Sequence, residues 1–238
     1  MNRRIVRTIA AGSLALVVVL ITAPQAPAQD AKAPYPNMAP VDQYLIADRD
    51  AEIALARSAA PESISRDAEV MVLGRHGYEI AVKGTNGFVC LVERGWTAPI
   101  DDPNFWNPKL RGPLCLNAAA ARTYLPFTIK KTEWVLAGQS KTQMFDNIKA
   151  ALDKKELPMQ EPGAMCYMLS KDQYLGDSGR HWHPHLMFFV PRTDAASWGA
   201  DVPGSPILSG DDPQDSLMIF MVPVGKWSDG TADTADKH

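Results

Sequence analysis

The sequence predicts an α+β domain: a single antiparallel sheet with packed helices, set behind an N-terminal signal peptide. Three observations carry this. Short alternating apolar runs near both ends of the chain read as strands, and an amphipathic segment with its own capping signal lies between them. No GxGxxG motif or strand–helix–strand rhythm of the kind that marks a parallel sheet is present. The chain has 238 residues, 46% hydrophobic and 21% charged, enough to bury a core and unlike a disordered, collagenous or coiled-coil sequence. Its net charge of −3 argues against a general nucleic-acid binder, which needs a basic surplus.

The first segment reads as an export signal. Arg3, Arg4 and Arg7 precede an apolar run from Ile9 to Ile21, and Ala26-Pro27-Ala28 offers small residues for cleavage after Ala28. The run is shorter than the ~20 residues a spanning helix needs. Removing residues 1–28 takes away three arginines and no acid, so −3 becomes −6 for the remaining chain. No later run reaches spanning length, and the mature chain is expected to be soluble, periplasmic or secreted. Residues 29–40, rich in Ala and Pro, read as a leader, residues 41–227 as the domain and residues 228–238 as a polar, mobile tail.

Within the domain, residues 41–60 read as a helix entered after Pro40 and stopped by Pro61. Glu69–Leu73, Tyr78–Lys83 and Phe88–Glu93 alternate as strands. Gly84-Thr85-Asn86-Gly87 joins the last two, and an Asn-Gly pair predicts a hairpin there. From Thr97 to Pro126 periodicity disappears among five prolines, which predicts a covering loop pinned by Phe105 and Trp106. Thr128–Leu136 reads as a short helix entered through Pro126. Ser140 and Gln143 then form a capping box for a helix carrying Met144, Ile148 and Leu152 on one face. Ala164–Leu169, His183–Val190 and Ser216–Val224 complete the strands.

The densest chemistry is His181-Trp182-His183-Pro184-His185. On an extended chain His181, His183 and His185 share a face, and neutral imidazole is the commonest ligand for zinc or copper. The outer two lie ~13 Å apart along a straight strand. So either Pro184 bends the segment, or two histidines bind with help from His76, a carboxylate or Cys166. The opposing expectation is a polar strand entrance with structural histidines. Of the three cysteines, Cys90 and Cys115 are expected to pair, tethering the proline-rich loop to the sheet and leaving Cys166 as a buried thiol. Met165, Met168, Met187, Met218 and Met221 suggest copper handling, but in apolar strands they read as core filler; Glu93-Arg94 reads as a surface ion pair and Asp101-Asp102 as loop charges.

Gly176-Asp177-Ser178-Gly179 is similar to the nucleophile motif of chymotrypsin-like serine proteases, and His76, Asp101 and Ser178 follow that family's order. The flanking residues Arg180-His181 and Gly74-Arg75-His76-Gly77 do not fit it, and neither does a helix at 140–156. The runs Asn86–Arg94 and His181–Phe189 resemble those of an exported bacterial protein family without an assigned activity. That resemblance implies export and a shared domain, and it transfers no functional residue. Two functions are therefore expected as alternatives. One is transition-metal binding, with zinc or copper as cofactor. The other is a non-enzymatic envelope domain binding a ligand or partner, with residues 97–126 as a pocket wall. Neither nucleic acid nor a membrane span enters either expectation.

Overall fold

Strand β1 (Glu69–Gly74) turns back through Arg75 and His76 into β2 (Gly77–Val82), so the hairpin falls one strand earlier than the Asn-Gly pair predicts. The structure, a computed structural model, describes residues 34–177 and 182–234, all within one compact unit. The signal peptide expected over residues 1–28, and His181, lie outside the described residues. Strand β3 (Val89–Glu93) crosses to the far side of β1 and pairs with it in parallel. A type I′ hairpin turn needs positive φ at both central residues. Here Gly87 has it and Asn86 does not. Instead the Asn86 side chain accepts from Phe88 N and donates to the Ile64 carbonyl. The linking loop runs tightly past the start of β1: a Cβ on Gly84 would lie 2.0 Å from Glu69 N, so only glycine fits.

The remaining strands are β4 (Gly112–Leu116), β5 (Met165–Met168), β6 (His185–Pro191), β7 (Leu208–Asp212) and β8 (Leu217–Pro223). They form one eight-stranded sheet in the order β2-β1-β3-β4-β5-β6-β8-β7. Every pairing except β1 with β3 is antiparallel, so the expected antiparallel sheet is mostly, not wholly, so.

Strand β4 lies inside the stretch expected to be irregular. Pro113, which would break a ladder, faces Val92 across the β3–β4 pairing. The pair has the phase at which antiparallel neighbours exchange no backbone hydrogen bonds, so the missing proline N–H costs β3 no acceptor; the Val92 carbonyl points away from β4 and accepts from Tyr78 Oη and Arg94 Nη1. Two residues along, Cys90 faces Cys115 at the same phase of the ladder, with Cα atoms 4.0 Å apart, and the two are joined in a disulfide. Cys166 is a free, buried cysteine.

The helices are α1 (Arg49–Arg57), α2 (Glu62–Ser65), α3 (Ala118–Thr123), α4 (Leu125–Leu136) and α5 (Lys141–Asp153). The single helix expected over 41–60 is interrupted because Asp48 caps a new start, its side chain accepting from Asp50 N. Helix α3 also falls inside the expected loop, capped by Asn117, and α4 carries Pro126 in its first turn, where no N–H is needed. The α5 capping box between Ser140 and Gln143 forms as expected.

Strands β3 and β4 are buried on both faces. Val70, Cys90, Val92 and Cys115 meet the alanines at 56, 59 and 60, whose small side chains let α1 approach closely. Leu91, Leu114, Leu116, Met187 and Phe189 meet Ala120, Tyr124 and Leu125 of α3 and α4 on the opposite face. The segment between β3 and β4 packs Trp96, Phe105 and Trp106 against Val135, Met144 and Ile148. After β8, residues expected as a free tail turn back: Lys226 bridges Ala232, and Asp233 N donates to the Gly225 carbonyl. No helix among the described residues is long and apolar enough to cross a membrane.

Candidate functional site

Alternation along the strands decides which side chains meet on the α3–α4 face. Glu93 follows Val89 and Leu91 onto that face, His185 shares it with Met187 and Phe189, and Met168 shares it with Cys166. The helices cover only part of it. Beyond them a cavity of about 190 Å³ opens, walled by Met168, Leu175, Met187, Leu217, Ile219 and Met221. Thr97, Ala98, Pro99, Asp102 and Leu110 of the β3–β4 segment form another side. Gly95 lets that segment fold back, since a Cβ there would lie 2.3 Å from the Asn104 carbonyl oxygen. Ile100 N donates to Gln214 Oε1 at 3.1 Å, tying the segment to the β7–β8 turn.

The polar groups of this cavity are buried carboxyls with few cations to answer them. Glu93 Oε1 accepts from Thr128 Oγ1 at 2.8 Å and from Tyr124 Oη at 3.2 Å. Burial pushes the Glu93 pKa up, and the hydroxyls of Thr128, Thr97 and Tyr124 with the Lys131 ammonium pull it part of the way back. Asp212 is likewise raised, first by burial and then by the neighbouring Asp215; Lys131 and two backbone N–H groups oppose the shift. Lys131 Nζ lies 2.7 Å from Asp215 Oδ2, both side chains under 5% exposed. Burial alone would lower the lysine pKa, yet Asp215, Asp212 and Glu93 together raise it. Asp215 Oδ1 is buried with no hydrogen-bond partner among the described residues.

Glu93 and Arg94 depart from the expected surface pair. Both are buried, and Arg94 Nη2 reaches across to Glu52 of α1 at 2.9 Å. Glu52 Oε1 also accepts from Leu73 N, and Arg94 Nε donates to the Tyr44 carbonyl, so this ion pair is satisfied from several sides.

The histidines separate. His183 Nδ1 donates to Asp233 Oδ2 at 2.5 Å, with the ring 43% exposed. His185 is buried and lines the cavity; its Nδ1–H donates to the His183 carbonyl at 2.8 Å, which leaves Nε2 as the basic nitrogen. Burial lowers its pKa. Of the auxiliary ligands considered with them, His76 sits in the β1–β2 turn and Cys166 is buried beside Met187, its thiol pushed well up by burial. Among the described residues no group of three His, Cys, Asp or Glu side chains is placed to hold an ion. Ser178 of the protease-like motif lies outside the described residues.

The carboxyls at 93, 212 and 215, Lys131 and the methionine wall were not picked out as a site from sequence. One signal was there: Glu93 falls in phase with Val89 and Leu91, which places a carboxylate on a core face. Asp212 and Asp215 gave none, because an Asp-rich turn reads as solvated.

The class defined by this fold and site is an α+β domain carrying a small, apolar-walled cavity with buried acids. No protein-family model, curated protein or solved structure matches the chain.

Proposed function

We propose that this chain is an exported, non-enzymatic binding protein whose cavity takes a small cationic ligand with an apolar body. The observation that carries the reading is the charge balance at the cavity. Arg94 is answered by Glu52 and Lys131 by Asp215. Glu93, Asp212 and Asp102 line the same space, and among the described residues none of them has an ion-pair partner. Glu93 and Asp212 are buried with only the shared charge of Lys131 to offset them; carboxyls so placed are costly to a fold, and such costs concentrate where a site needs them. A cation in the cavity removes the cost, and apolar walls strengthen its attraction by excluding water. Tyr124 and Trp182 also line this space. The basic–apolar–small N-terminal pattern and the Cys90–Cys115 disulfide suit an oxidising compartment outside the cytoplasm.

A three-imidazole zinc or copper site at His181, His183 and His185 is a weaker reading, because His183 and His185 engage different partners. Benzylamine, benzyl alcohol and benzoate share one apolar body and differ in charge, so they separate the ideas. Titrated against tryptophan fluorescence, benzylamine is expected to bind at least about tenfold tighter than benzyl alcohol, a difference of about 1.4 kcal/mol. Benzoate is expected not to bind. Equal binding of benzoate, or saturation by none of the three, would overturn the proposal.

A further inference from the structure

Four cavity-lining side chains form a soft-donor patch on one sheet face: Met168 on β5, His185 and Met187 on β6, and Met221 on β8. The registers place them side by side. Met168 faces His185 across β5–β6, and Met187 faces Met221 across β6–β8. His185 and Met187 are two residues apart on one strand and therefore on one face. Three neighbouring strands and one two-residue step confine the four Cα positions to an area roughly 10 Å by 7 Å. Methionine has three rotatable bonds, so its sulfur can be brought inward from such positions.

The imidazole is held as metal-binding histidines are held. Its Nδ1–H is committed to the His183 carbonyl at 2.8 Å, which fixes the tautomer and presents Nε2 as the ligand atom. Thioether sulfur with one imidazole selects a soft, monovalent ion over zinc, calcium or magnesium.

We propose that the cavity holds one monovalent copper ion, ligated by His185 Nε2 and thioether sulfurs of Met168, Met187 and Met221. The assignment rests on the reading above that the cavity attracts a cation, with the metal ion in place of an organic one and the carboxyls supplying the long-range attraction, so bound copper should compete with benzylamine. Cys166 faces Met187 across β5–β6 but does not line the cavity, and it is left out of the ligand set.

The test is an anaerobic titration of the full mature chain with monovalent copper against bathocuproine disulfonate, with benzylamine binding measured on the same samples. One copper per chain is expected, with zinc at least about a hundredfold weaker. Met187→Leu and His185→Phe should each weaken copper at least about tenfold, while Cys166→Ala leaves it unchanged. X-ray absorption on the unaltered protein should show copper–sulfur scattering, which keeps the assignment testable if a variant fails to fold. Copper retained in the Met187→Leu/His185→Phe double variant, or scattering from nitrogen and oxygen alone, would overturn the assignment. So would loss of copper on His183→Ala with none on His185→Phe, which returns the ion to the histidine segment. If benzylamine binds and copper does not, the copper assignment falls and the cation cavity stands. If neither binds, both fall.

Discussion

Lys131 and Asp215 form a buried charge pair at the edge of the cavity. Each is under 5% exposed, and each partner makes the other tolerable. Removing one leaves an uncompensated charge in a dry place, so Lys131→Met should cost about 3–5 kcal/mol in chemical denaturation. Adding Asp215→Leu to that change should restore much of the loss. A double variant no more stable than Lys131→Met would show that the pair is not what limits stability. Glu93 acts in the opposite sense. Its pKa is raised by burial, so in the pH window above the ordinary value of about 4.3 the folded state keeps a proton that the unfolded state has lost. Stability therefore falls as pH rises through that window. Glu93→Gln retains an oxygen for Thr128 and Tyr124 and removes the titration. Its stability relative to the unaltered chain should improve from acid toward neutral pH, and a constant difference would refute this.

The crossing of β2 to β3 is the feature of the elements least visible in the sequence. Asn86-Gly87 is a hairpin signal judged locally, but the hydrogen bonds from Asn86 to Ile64 and Phe88 turn it into a loop across the end of β1. Tertiary pairing overrides the turn preference, and Gly84 makes room for it. Gly84→Ala would press a methyl against Glu69 N and should cost about 3 kcal/mol in a thermal or denaturant melt, the upper range for overpacking. A neutral result would mean the crossing lies elsewhere. The α5 helix was legible because its cap and its apolar stripe are both local. Strand β4 was not, because Pro113 disguises it, and what makes the proline acceptable is its phase in the pairing, at which no N–H is offered to β3. The Cys90–Cys115 pairing was legible as a tether between sheet and loop; the structure makes it a cross-strand bridge between neighbouring strands.

Across the whole molecule, the cavity exists because α3 and α4 cover only part of one sheet face while the β3–β4 segment and the β7–β8 turn close in from the sides. Its composition could not be read from spacing along the chain: His185 meets Met168, and Met187 meets Met221, only through strand register, and Glu93 meets Lys131 only through the packing of α4. The histidine segment drew attention by its density, yet His185, which lines the cavity, draws its company from methionines on its own strand and the two beside it.

The central claim, that a cation neutralises buried carboxyls here, makes a proton count. Glu93 is held up by burial against Thr128, Thr97, Tyr124 and Lys131, and Asp212 by burial and Asp215 against Lys131. An arriving positive charge favours the ionised form of both, so binding must expel protons and tighten as pH rises. Calorimetric titration of benzylamine in two buffers of different ionisation enthalpy, below neutral pH, measures this directly. Net proton release that disappears in Glu93→Gln/Asp212→Asn is the predicted result; proton uptake, or binding with no proton exchange, would contradict the account.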